Sequence, residues 1–163
     1  MRTGTFVVCC IIVGVFVLGF IGSLVFTPAY NLETELRENK EAFTQLTEFF
    51  QKVDEQRVVI YARPDNYILY VGLLGERREI KIENENIKNA IDILFKELGY
   101  YGINKEKNGI TFIRDTQSGI EGIDHSGLIY MFDEKVPSAE DFDFIVLKKL
   151  RVKGWYYYSN ISS

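Results

Sequence analysis

The only histidine of the chain, His125, stands between Asp124 and Ser126. Carboxylate, imidazole and hydroxyl are the parts of a hydrolytic triad, in which the acid orients the ring and the ring takes the hydroxyl proton. Consecutive residues cannot aim their side chains along such a chain of hydrogen bonds, and a working triad draws its members from distant parts of the sequence. His125 therefore reads as a polar loop or turn residue. The two cysteines, Cys9 and Cys10, both fall in an apolar run near the amino terminus, where they read as lipophilic thiols rather than lipidation sites. Beyond that run the chain has no cysteine and one imidazole, so disulfides, zinc, haem and His-based nucleophilic catalysis lose their usual ligands or bases. No cofactor and no metal is expected.

Carboxylates remain. Asp115, Glu121, Asp124, Asp133, Glu134, Glu140, Asp141 and Asp143 crowd the last third of the chain. Oxygen ligands of this kind can hold calcium, but Asp115–Asp124 fails the EF-hand loop. Its third position is Gln117, its fifth is Gly119, and Ile120 stands where the obligatory glycine belongs. A pair of these acids could hydrolyse a glycoside, yet no spacing singles out a pair, and solvated acidic loops account for the cluster.

Trp155-Tyr156-Tyr157-Tyr158 is the most conspicuous candidate surface. On a strand, Trp155 and Tyr157 share one face and Tyr156 and Tyr158 the other. One pair is expected in the core; the other, left exposed, would give the amphipathic aromatic surface that partner-binding sites use. These four are the candidate partner-binding residues. Asn160-Ile161-Ser162 matches a glycosylation acceptor, which matters only in a eukaryotic secretory route.

The elements that position these residues follow from hydrophobic periodicity. Leu32, Leu36, Phe43, Leu46, Phe50 and Val53 predict one amphipathic helix over Asn31–Glu55. They also fit a heptad seam with Asn39 in its remaining slot, so two copies could pair as a homodimer through Leu32–Val53. Phenylalanines suit packing on a sheet better. Three runs from Arg57 to Glu83, separated by turns at Arg63–Asn66 and Gly75-Glu76, predict an antiparallel meander with the second strand central. Asn86 is expected to cap a helix over Ile87–Leu98, stopped by Gly99. Gly109–Arg114 and Leu128–Phe132 read as strands, with a glycine-rich loop over Ser118–Gly127 between them. Phe142–Leu150 reads as a strand, although Ser138 with Asp141 resembles a capping box; a turn at Val152-Lys153-Gly154 leads into Trp155–Tyr158. Two helices on a largely antiparallel sheet of about six or seven strands make the fold class α+β.

Ahead of this domain, Phe6–Phe26 gives 21 residues without a charge. As a helix it covers about 30 Å, the thickness of a bilayer's hydrocarbon core. A cleaved signal peptide is the competing reading, but the apolar core is long for one and Thr27-Pro28-Ala29 is a poor cleavage site. Residues 1–29 are therefore expected to be a membrane anchor and 30–163 one soluble α+β domain. Of the 19 Lys+Arg only Arg2 precedes the domain, which leaves 18 against all 23 acidic side chains, a net charge of −5. That balance argues against nucleic acid as a partner. A hydrophobic share of 47% with 23 aromatics argues equally against disorder. The positive-inside count is nearly tied, with Arg2 and the amino terminus on one side and Arg37 and Lys40 on the other. The short leader and the acidic cluster Glu33, Glu35, Glu38 and Glu41 favour a domain outside the cytoplasm. The function expected is a non-catalytic interaction module held at the membrane for a protein partner; the alternative is a carboxylate-dependent hydrolase of the cell envelope.

Overall fold

In the computed structural model the described residues are 28–54, 58–61, 68–71, 78–118, 123–133, 135–142 and 144–160. The apolar run Phe6–Phe26 lies outside them, as do the expected turns at Arg63–Asn66 and Gly75-Glu76. Among the described residues no helix is long and apolar enough to cross a membrane.

The helix expected over Asn31–Glu55 is two helices, α1 (Pro28–Glu38) and α2 (Lys40–Lys52). The break is at Asn39, where φ is −108° and ψ 28°. Its side-chain amide donates to the Glu35 carbonyl at 3.0 Å, offering that acceptor a partner outside the helical ladder. The bend lets both apolar stripes enter one core, with Leu32 and Leu36 from α1 and Ala42, Phe43, Leu46 and Phe50 from α2. The face that a coiled coil would use is thus buried inside the domain. Phe43, 1% exposed, meets Tyr100, Phe112 and Trp155 edge-on, with ring centres 5.7, 5.3 and 5.4 Å away. Burying one such ring contributes about 1.5–3 kcal/mol, and each edge-on pair about 0.5–1.5 kcal/mol more.

β1 (Val58–Tyr61), β2 (Ile68–Val71) and β3 (Arg78–Lys81) form the expected antiparallel meander with β2 in the middle. α3 (Glu85–Asp92) follows, capped by Asn84 rather than Asn86. The Asn84 side-chain oxygen accepts the Asn86 and Ile87 amides at 2.9 and 3.3 Å, which starts the helix early enough to place Glu85 at its positive end. Its continuation, Ile93–Glu97, is a π-helical turn in which the Leu98 amide reaches back to the Ile93 carbonyl at 3.0 Å. Gly99, at φ 74°, then ends the helix in the left-handed conformation.

The chain returns to pair with β1 through β4 (Gly102–Glu106), a strand the periodicity does not announce. β5 (Gly109–Ser118) and β6 (Ile123–Met131) continue the meander. They reach far into the stretch expected to be a loop, since residues 115–118 pair with 123–126. A four-residue helix, α4 (Ala139–Phe142), precedes β7 (Val146–Lys149) and β8 (Trp155–Ser159). The strand expected over Phe142–Leu150 is confined to β7, because Phe142 ends α4; at the start of that helix the Ser138 hydroxyl accepts the Asp141 amide at 3.3 Å, half of the capping box. All pairings are antiparallel, in the order β3-β2-β1-β4-β5-β6-β8-β7. The fold is α+β, with eight strands where six or seven were expected.

The two faces of this sheet are covered differently. Val58, Ile60, Ile103, Ile110, Phe112, Leu128 and Trp155 meet α1, α2 and α3 in the main core. On the other face, Ile129, Met131, Tyr156 and Tyr158 are closed over by Phe142, Phe144 and Leu147. Both edge strands expose charged side chains, Arg78, Glu79 and Lys81 on β3 and Lys148 and Lys149 on β7, which discourages edge-to-edge pairing.

Candidate functional site

The aromatic strand is a structural spine. Trp155, 6% exposed, sits among the rings of Phe43, Phe112 and Tyr130, while Tyr157 packs half-buried against the same core. Tyr156 and Tyr158, the pair left for a partner, lie in the second core under Phe142 and Phe144. Both faces of β8 are covered, one by the main core under the helices and the other by Phe142, Phe144 and Leu147. Exposed aromatics occur elsewhere. Tyr101 is 50% exposed, and the Tyr61 ring lies 6.3 Å from it and 6.2 Å from Tyr70.

His125 lies on β6, so strand alternation sends its ring and the Ser126 hydroxyl to opposite faces. Asn160 brackets it. The Asn160 carboxamide oxygen accepts the His125 amide, its nitrogen lies 2.8 Å from Nδ1, and the Asn160 amide donates to the His125 carbonyl at 3.1 Å. This arrangement holds the ring edge-on to Tyr158 at 5.5 Å and occupies the side chain of the glycosylation acceptor. Two of the described acids of the last third are engaged locally. Asp133 pairs with Lys135 at 2.8 Å, and Asp141 bonds Ser138 and Asn108. Among the described residues no three His, Cys, Asp or Glu gather as a metal site.

What the fold does assemble is a cleft of about 310 Å³ between the α1–α2 bend and the turn from β7 to β8. Leu36, Phe43, Val152 and Trp155 form its apolar floor, and Arg37, Lys40, Thr44 and Arg151 its polar lining. Arg37 and Lys40 flank the bend at Asn39, and Arg151 sits at the start of the turn that Gly154 completes at φ 80°. Among the described residues no carboxylate lies within ion-pair distance of Lys40 or of the Arg151 guanidinium.

Two glutamates of α1 fix this geometry. Glu33 accepts from Arg37 at 2.9 Å and from the Arg151 amide at 3.2 Å, tying the helix to the turn. Burial pushes its carboxyl up, but the Arg151 amide and the Arg37 guanidinium outweigh that and hold it below the ordinary glutamate value. Glu35 points inward, where Oε1 accepts the Tyr100 hydroxyl at 2.9 Å and Oε2 pairs with Arg114. The Arg114 guanidinium also lies 5.7 Å over the Tyr100 ring. Burial, reinforced by the Glu35 charge, pushes the Tyr100 hydroxyl far above the ordinary tyrosine range, so it stays a donor.

Nothing in the sequence groups the residues of this cleft. Arg37 and Lys40 read as ordinary charges on a helix face, and the basic run Lys148-Lys149-Leu150-Arg151-Val152-Lys153 is the one local signal that a positive patch exists in a domain of net charge −5. The chain matches no family model, no curated protein and no solved structure, so the chemistry of the cleft is read from its own residues.

Proposed function

We propose that this chain is a single-pass membrane protein, anchored by Phe6–Phe26, whose α+β domain lies outside the cytoplasm and acts as a non-catalytic interaction module. The observation that carries the reading is the cleft: three cations gathered over an aromatic floor in an otherwise acidic domain. Cations held near an apolar wall recognise an anionic group on a partner, and anchoring raises the local concentration at which that partner is met. Trp155 enters as part of the floor rather than as an exposed contact.

The test is a photo-crosslinking amino acid placed at Thr44, on the cleft, or at Lys88, on α3, in the full chain in cells. An adduct at Thr44 that disappears with Arg151→Glu supports the module; adducts at Lys88 but never at Thr44 would remove it. Protease treatment of intact cells carrying a C-terminal tag tests the orientation. Loss of the tag is expected, and a tag protected until lysis would put the domain inside.

A further inference from the structure

The charge of the cleft selects among anions. Arg37, Lys40 and Arg151 bring three positive charges to its lining, and Glu33, bonded to the Arg37 guanidinium and the Arg151 amide, offsets one. A charge of +2 is left. A carboxylate or a phosphodiester supplies a single negative charge, whereas a phosphomonoester carries about −1.5 to −2 near pH 7 and presents three acceptor oxygens. Guanidinium groups can take two such oxygens side by side, and an ammonium is a compact point donor for the third. The Thr44 hydroxyl adds a neutral donor on the same lining.

The floor sets a second requirement. Leu36, Phe43 and Trp155 are almost wholly buried, so what the floor offers a ligand is a narrow apolar strip completed by Val152 and the aliphatic stems of Arg37, Lys40 and Arg151, and a bare phosphate would leave that strip uncovered. An alkyl or aryl body attached to the phosphate would cover it, and about 310 Å³ is at the small end of the range for such ligands. We infer that the cleft binds a phosphomonoester carried on an apolar or aromatic body, an assignment that rests on the interaction reading above and narrows it to one ligand class. The same chemistry is offered by a soluble phosphorylated molecule and by a lipid with a terminal phosphate.

Trp155 is the only tryptophan in the chain and lies in the floor, so its emission reports occupancy directly. The experiment titrates the full chain in detergent with phenyl phosphate, phenyl sulfate and inorganic phosphate. Phenyl phosphate is expected to shift the Trp155 emission saturably and to bind at least tenfold more tightly than either of the others. Its affinity is expected to fall about tenfold between pH 7 and pH 5, as the second phosphate proton returns with a pKa of about 6. Lys40→Ala and Arg151→Ala, both at exposed positions, are each expected to weaken binding tenfold or more with an unchanged circular dichroism spectrum. Equal affinities for phenyl sulfate and phenyl phosphate would overturn the dianion assignment while leaving an anion-binding module in place. No saturable response to any probe would overturn the assignment altogether, and the module itself then stands or falls on the Thr44 crosslink. Repeating the titration in phosphatidylcholine nanodiscs, with and without phosphatidate, separates the two sources. Competition by phosphatidate assigns the lipid, and an unchanged affinity assigns the soluble molecule.

Discussion

Replacing Glu35 by alanine is expected to destabilise the domain by about 2–4 kcal/mol, and the figure comes from what its two oxygens hold. Oε1 accepts the Tyr100 hydroxyl at 2.9 Å, and Tyr100 is only 2% exposed, so water cannot take over as acceptor. Losing a hydrogen bond to a charged acceptor costs about 1.5–3 kcal/mol. Oε2 pairs with Arg114, whose side chain is 31% exposed and can rehydrate, so that half of the network is worth no more than about 0.5–1 kcal/mol. The assay is equilibrium urea unfolding of the full chain in detergent, followed by Trp155 fluorescence and circular dichroism. The expected signature is a lower midpoint at unchanged slope. Tyr100→Phe removes the hydroxyl alone, so combining it with Glu35→Ala should cost less than the two single changes together by at least about 1 kcal/mol. A Glu35→Ala protein within about 0.5 kcal/mol of the parent, or strict additivity in the double variant, would refute the reasoning.

Three further outcomes rest on single positions. Phe43→Ala removes the ring that meets Tyr100, Phe112 and Trp155, and should lower stability by about 3–5 kcal/mol in the same urea assay; a loss under about 1 kcal/mol would mean that α2 does not pack as described. Gly127→Ala would drive a methyl into the Phe112 carbonyl at the register shift between β5 and β6, so amide exchange of both strands should accelerate while that of α2 changes less. Glu33 sits below its ordinary pKa in the folded state, so its contribution is complete above the unfolded value and is lost as pH falls through the folded one. The urea midpoint of the parent should therefore drop further than that of Glu33→Gln between about pH 6 and pH 3, and parallel profiles would contradict the Arg37 and Arg151 contacts.

The elements that declared themselves in the sequence are those whose apolar spacing was not interrupted. The β1–β2–β3 meander and the helix ending at Gly99 are of this kind, and so is the Leu/Phe stripe that lies on the sheet. The failures have local causes. Asn39 interrupts a helix that periodicity drew as continuous; its backbone amide and its carboxamide both donate to the Glu35 carbonyl, and apolar spacing does not register that doubled contact. β4 was hidden by Lys105, a charge within a five-residue interior strand. Lys105 is tolerated at 7% exposure because its ammonium donates to the Val53 carbonyl just beyond α2, a partner 52 residues away. The π-helical turn over Ile93–Glu97 leaves the apolar set Ile87, Ala90, Ile91 and Leu94 looking like any α-helix.

The cleft was unreadable for a different reason. Its lining comes from two segments more than a hundred residues apart, and the aromatic strand drew attention for the residues that turned out to be covered. Trp155 links the two levels of structure. Its burial among Phe43, Phe112 and Tyr130 makes the floor rigid, and the α1–α2 bend and the Leu150–Gly154 turn bring cations over that floor from opposite sides. Glu33 joins those two sides by accepting from one residue of each. Its role is thus structural and electrostatic at once: it anchors Arg37 and the turn while offsetting one of the cleft's three positive charges. Glu33→Gln should keep an acceptor for both contacts but leave the cleft at +3, so the domain should stay folded near neutral pH and bind phenyl phosphate more tightly. Weaker binding by the folded variant would mean that Glu33 matters for position alone, and the cleft's charge would no longer single out a phosphomonoester.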